Sequence, residues 1–119
     1  MAARSIFLLS ISLIILFLVP HGTRGEGDPV AGEAIYRQLC APCHGFRGDG
    51  GEGYRGGFTP HSRVLADKEY VKSLPDEYLI YVIQKGGVAV GKSNQMPAWE
   101  KRLDLEQTKD IIAHIRSLR

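Results

Sequence analysis

The 119-residue chain is short of the residues that most often carry chemistry: it has two cysteines, two methionines and one tryptophan. Two cysteines cannot build a disulfide framework, and a bridge between Cys40 and Cys43 would close a tiny loop that constrains little. No second CxxC and no HxxxH is present, so the usual four-ligand structural zinc site has no donors. Glycines are plentiful in 45–57, but no Lys-Ser or Lys-Thr follows them, which rules out a phosphate loop. An excess of one charge is missing too: 15 Lys+Arg face 13 Asp+Glu. Such a balance gives no support to nucleic-acid binding. The longest apolar run, residues 6–19, covers about 21 Å as a helix against the ~30 Å of a bilayer core.

That run does have a reading. Arg4 and the amino terminus precede it and small residues, Thr23 and Gly25, follow it. The pattern predicts a secretory leader over 1–25, cleaved before Glu26, with an uncleaved membrane anchor as the alternative. Removing Arg4 and Arg24 from the 15 basic residues leaves 13 against 13 acidic ones, a neutral domain over 26–119. Roughly 94 residues bury only a thin core.

The stretch Cys40-Ala41-Pro42-Cys43-His44 is the most informative part of the domain. Two thiols three positions apart with a histidine directly after is the attachment spelling for c-type haem. Each haem vinyl takes one cysteine as a thioether, and the adjacent histidine then sits under the iron. A covalently held haem would also supply apolar surface that so small a core lacks. The rival is a redox dithiol, since Cys-Ala-Pro-Cys is also a thioredoxin-type CxxC. That chemistry calls for a βαβ setting, and the chain contains no stretch with a firm strand signature.

The element signals are helical. Asp28-Pro29 reads as an N-cap and first position, with Val30, Ala31, Ala34, Ile35 and Leu39 at helical spacing up to Cys40. Gly32 within it marks a close helix contact. Seven glycines fall within 45–57; next to CxxCH they suit a backbone wrapped closely round a flat cofactor. A short helix over 67–74 is followed by a firmer one opened by Pro75-Asp76-Glu77, striped by Leu79, Val82 and Ile83 and ended by Gly86-Gly87. Residues 88–102 read as a long irregular connection. Asp104 to Gln107 is a capping box, and Leu105, Thr108, Ile111, Ile112, Ile115 and Leu118 form the inner face of a last helix.

A haem of the electron-transfer kind needs a sixth ligand. Met96 is the only methionine beyond Met1, and Pro97 holds it extended in a loop. His61, in a loop after Pro60, and His114, within the last helix, are the rivals. Lys85, Lys92, Lys101 and Arg102 bracket the methionine loop as a possible cationic rim for an acidic partner.

Taken together these pieces resemble a small bacterial monohaem class I c-type cytochrome. The resemblance rests on Gly32…Ile35-Tyr36, then Cys40-Ala41-Pro42-Cys43-His44-Gly45 and Gly48-Asp49-Gly50-Gly51. It continues through Leu79…Val82-Ile83…Gly86-Gly87, Met96-Pro97-Ala98-Trp99 and the helix 111–118. It implies an all-α fold of about four helices round one haem, with the first and last crossing. It implies Cys40 and Cys43 as thioether anchors and His44 and Met96 as the axial, metal-binding pair. Pro60 is the expected carbonyl acceptor for the proximal ring N–H. His114 stands where the family commonly has an aromatic, which implies a smaller and more polar crossing contact, with the ring packed against the first helix and its pKa lowered. The implied function is one-electron transfer between redox partner proteins, without substrate turnover, in the periplasm or otherwise outside the cytoplasm. A thiol–disulfide oxidoreductase or a haem-based gas sensor stands as the alternative.

Overall fold

The computed structural model describes residues 26–50 and 63–119. The leader, Pro60, His61 and the glycines at 51, 53, 56 and 57 lie outside the described residues. Five α-helices follow one another, with no strand among the described residues: α1 (Pro29–Leu39), α2 (Ala41–His44), α3 (Lys68–Ser73), α4 (Asp76–Lys85) and α5 (Leu105–Ser117). The fold is therefore all-α, as the sequence signals imply.

Each long helix starts where its capping chemistry lies. The Asp28 carboxylate accepts the Val30 N–H at 2.9 Å, and Pro29 opens α1. At α5, Asp104 Oδ1 accepts the Gln107 N–H at 2.8 Å while Gln107 Oε1 accepts the Asp104 N–H at 3.0 Å. Such caps contribute about 1 kcal/mol each. A further bond joins the two helices: the Asp28 N–H donates to Asp110 Oδ1 at 2.7 Å.

The two helices cross almost backbone to backbone. A Cβ on Gly32 would fall 1.9 Å from the Asp110 carbonyl oxygen, and one on Gly27 would fall 2.2 Å from that of Lys109. The absence of a side chain at position 32 is thus a steric condition of the crossing. Tyr36 is completely buried beneath it, with its ring centroid 4.9 Å from that of His114 at a tilt of 53°. Its hydroxyl donates to the Gly45 carbonyl at 2.8 Å. The smaller polar residue at 114 has not loosened the contact; the imidazole is buried there, beside Tyr36.

Tyr36, Leu79, Ile83, Leu103, Ile111 and Ile115 are among the buried apolar side chains that make one core, each contributing about 1.5–3 kcal/mol. Thr108 joins them fully buried, its hydroxyl donating to the Asp104 carbonyl at 2.8 Å. Arg116 ties α3 and α4 to α5. It donates to the Val71 and Leu74 carbonyls, each at 2.9 Å, and to Asp76 Oδ1 at 2.5 Å.

The apolar stripes differ from the sequence reading at three positions. Val30 is 76 % exposed and Leu105 47 % exposed, and Ala34 also faces solvent. Val30 and Leu105 both stand in the first turn of their helices. The connection over 88–102 is not wholly irregular either: a 3-10 turn, Gly87–Val90, opens within it.

Candidate functional site

The last turn of α1 delivers the cysteine–histidine motif. The Cys40 N–H donates to the Tyr36 carbonyl at 2.9 Å, and the chain turns at once into the one-turn helix α2. The N–H groups of Cys43 and His44 both donate to the Cys40 carbonyl, at 3.1 and 2.9 Å. One helical turn therefore presents both thiols and the imidazole together. Both thiols are free and half-buried. Burial, with Cys43 beside it, pushes the Cys40 thiol up to about 12. A dithiol oxidoreductase uses a thiol moved the other way.

His44 is half-buried, and its Nδ1 lies 3.0 Å from the Arg63 carbonyl oxygen. A carbonyl only accepts, so Nδ1 carries the proton and Nε2 keeps its lone pair. Burial moves the His44 pKa below the ordinary histidine value, opposed in part by this bond. The shift favours the neutral ring, the form in which an imidazole can ligate a metal. The resemblance points to Pro60 as acceptor, which lies outside the described residues; among these the acceptor is the Arg63 carbonyl. A main-chain oxygen has no residue-type signature, which is why the sequence did not reveal it.

Gly45, Gly48 and Gly50 carry the chain away from the motif with positive φ. The Gly50 N–H returns to the His44 carbonyl at 2.8 Å, and the Ala66 N–H to that of Gly48 at 3.0 Å.

Met96 is half-buried and leans on the same core as Cys40. Its loop rests on the end of α4. The N–H groups of Trp99 and Glu100 donate to the Ile83 and Gln84 carbonyls, both at 3.1 Å, and the Gly87 N–H donates to the Met96 carbonyl at 3.0 Å. The Ile83 and Gln84 carbonyls are among those that a helix C-terminus leaves unpaired. Cβ atoms on Gly86 and Gly87 would fall 2.9 Å from the Met96 oxygen and 2.1 Å from that of Ser93. Of the basic residues around the loop, Lys85 is paired with Glu100, and the Arg102 guanidinium lies over the Trp99 ring at 5.5 Å. Lys92 and Lys101 are exposed. The rim is smaller than the four charges suggest.

His114 belongs to the α1–α5 crossing, and its Nε2 has no hydrogen-bond partner among the described residues. Burial lowers its pKa, the direction expected from sequence. Among the described residues no group of three or more His, Cys, Asp or Glu is placed to hold a metal ion. The donors that do suit a cofactor are those of the Cys40–His44 turn, and their chemistry fits a haem: two free thiols, one neutral imidazole with its outer nitrogen available.

The family model described as cytochrome c oxidase, cbb3-type, subunit III matches residues 27–115. The chain belongs to that family. Two relatives named cbb3-type cytochrome c oxidase subunit FixP are 35 % and 33 % identical over 96 residues. One comes from Bradyrhizobium diazoefficiens, the other from a Bradyrhizobium species. Each match covers 81 % of this chain, which spans only 29 % of the length of those relatives. The solved structure of KustC0563 c-type cytochrome matches with a TM-score of 0.59 at 27 % identity, covering 74 % of this chain and 96 % of that one. The cytochrome is of the small class I c-type, its cofactor is one covalently attached haem c, and its chemistry is haem-based electron transfer.

Proposed function

We propose that residues 26–119 form an exported one-electron carrier in which Cys40 and Cys43 hold the haem, His44 is the proximal ligand and Met96 the distal one. When bound, the haem supplies a ferric/ferrous couple at potentials that methionine ligation raises. The observation that carries this reading is the His44 ring: the Nδ1–H bond to the Arg63 carbonyl leaves Nε2 as the free donor of the same turn that presents both thiols. The half-buried Met96 on a loop fastened to α4 supports the second ligand. The protein residues bind and orient; none is asked to move a proton or turn over a substrate. The leader over 1–25 directs export, to the periplasm in a bacterium. The partners are redox proteins, and the names of the curated relatives favour a terminal oxidase assembly on the accepting side.

The test is spectroscopic. The purified protein should show a c-type haem spectrum whose Soret band stays with the protein through acid–acetone extraction. Met96→Ala should keep the haem attached, lose the weak red charge-transfer band of the ferric form and lower the reduction potential. Persistence of that band would assign the sixth position to another residue; extraction of the haem would overturn the covalent assignment.

A further inference from the structure

The Arg63 carbonyl that receives the His44 Nδ1–H sits in a loop between the haem-motif turn and α3, where no helix or sheet fixes it. The Arg63 side chain is nevertheless held. Its guanidinium carbon lies 3.6 Å from the centroid of the Tyr70 ring, at stacking distance, and its Nη2 is 3.8 Å from Asp67 Oδ2. Both partners belong to the start of α3. Asp67 is its N-cap, accepting the Tyr70 N–H at 3.1 Å, and Tyr70 packs against the core. Two bonds to neighbouring residues complete the chain of contacts: the Ala66 N–H donates to the Gly48 carbonyl at 3.0 Å and the Val71 N–H to that of Asp67 at 2.9 Å.

We infer that Tyr70, with Asp67, clamps the Arg63 side chain and so positions the Arg63 carbonyl against His44, making Tyr70 and Arg63 positioning residues for the proximal ligand. This rests on the reading of His44 as an iron ligand. The physical content is that a ligating imidazole whose other N–H is hydrogen-bonded is better oriented and more basic. A clamp that keeps the acceptor in place strengthens the imidazole's donation, which favours the ferric state. A stacked, partly exposed guanidinium–aromatic contact is worth about a two- to fivefold change in an equilibrium. Any effect passed to the His44 bond is bounded by that figure. A mobile Arg63 carbonyl would leave the Nδ1–H to water for part of the time.

Three variants of the haem-loaded protein test the clamp. Tyr70→Leu keeps apolar bulk but removes the aromatic face; Arg63→Met keeps the stem and the carbonyl but removes the guanidinium; Tyr70→Phe keeps the face. The first readout is hydrogen exchange of the His44 Nδ1–H by NMR in the ferrous form. It should quicken about two- to fivefold in Tyr70→Leu and Arg63→Met and match the parent in Tyr70→Phe. The second is the reduction potential. It should rise in the same two variants by no more than that factor in the ferric/ferrous equilibrium, at about 59 mV per tenfold for a one-electron couple. Unchanged exchange in both variants, with a low-spin spectrum intact, overturns the clamp and leaves the His44 reading standing. Loss of Tyr70→Phe along with the others assigns the effect to the hydroxyl and also overturns it. A parent protein whose spectrum shows no histidine-ligated haem removes the underlying reading instead.

Discussion

At the α1–α5 crossing two helices meet through Gly32, with Tyr36, His114 and Ile111 buried round the contact. The loop carrying Met96 lies over the end of α4 through main-chain hydrogen bonds, with Pro97 and Ala98 exposed. One region is held by close packing and the other by donors that complete a helix terminus. Packing resists any added atom, whereas a main-chain latch tolerates most side-chain changes and fails only where a Cβ enters the hydrogen-bonded path. The difference suits their proposed roles, a fixed frame and a ligand loop at the surface.

The sharpest way to break this contrast is at the crossing. Gly32→Val puts a branched side chain where even a Cβ would stand 1.9 Å from the Asp110 oxygen. The helices must separate, and the loss should reach about 3 kcal/mol, the upper end for overpacking. Chemical denaturation of the haem-loaded protein measures it; a loss below 1 kcal/mol would show that the crossing is loose.

On the loop, Gly87→Ala is the matching test. Its Cβ would meet the Ser93 oxygen at 2.1 Å, inside the latch but outside the crossing. A loss of about 1–2 kcal/mol is expected, accompanied by a weakened red charge-transfer band as the Met96 presentation changes. An unaltered band would mean that the latch does not position the methionine.

A smaller effect comes from protons. Burial holds the His114 pKa below its ordinary value, with Glu33 acting against the shift and Arg37 with it. The folded state therefore binds fewer protons than the unfolded one as pH falls. His114 thus contributes stability that is fully present above the unfolded histidine pKa and is lost as pH falls through that value towards the folded one. Denaturation midpoints of the parent and His114→Gln, followed through that window, should diverge in slope. Parallel curves would place the ring outside the packed crossing.

The smallest effect on the fold belongs to the rim. Charge reversal at Lys92 and Lys101 should leave stability within about 0.5 kcal/mol, as for other surface sites. Electron transfer with an acidic redox partner should lose its dependence on salt. A salt dependence unchanged by the reversals would take these two residues out of the docking surface.

Much of the frame was legible along the chain because its signals are local. Asp28-Pro29, Pro75-Asp76, Gly86 and the Asp104–Gln107 box act within a turn of themselves, and each marks a helix end in the structure. The inner face of α5 was legible through its spacing, except at Leu105, where periodicity says which side a residue faces but not how far the partner extends. Tyr36 shows the opposite limit. Nothing in its spacing distinguishes it from its neighbours, and it is the packing of α5, with His114 against its ring, that makes it the largest fully buried side chain among the described residues.

The amino-acid sequence by itself carried the CxxCH turn of this cytochrome and the marked ends of its helices. Covalent spacing and local hydrogen bonding decide such things, and both are properties of neighbours. The tertiary structure alone decided which oxygen receives the His44 proton, which of the basic residues round the methionine loop are already engaged, and how closely two helices approach at Gly32. Those depend on contacts between residues 19, 15 and 78 positions apart, as in His44–Arg63, Lys85–Glu100 and Gly32–Asp110. No local preference encodes a distance that only the assembled core can set.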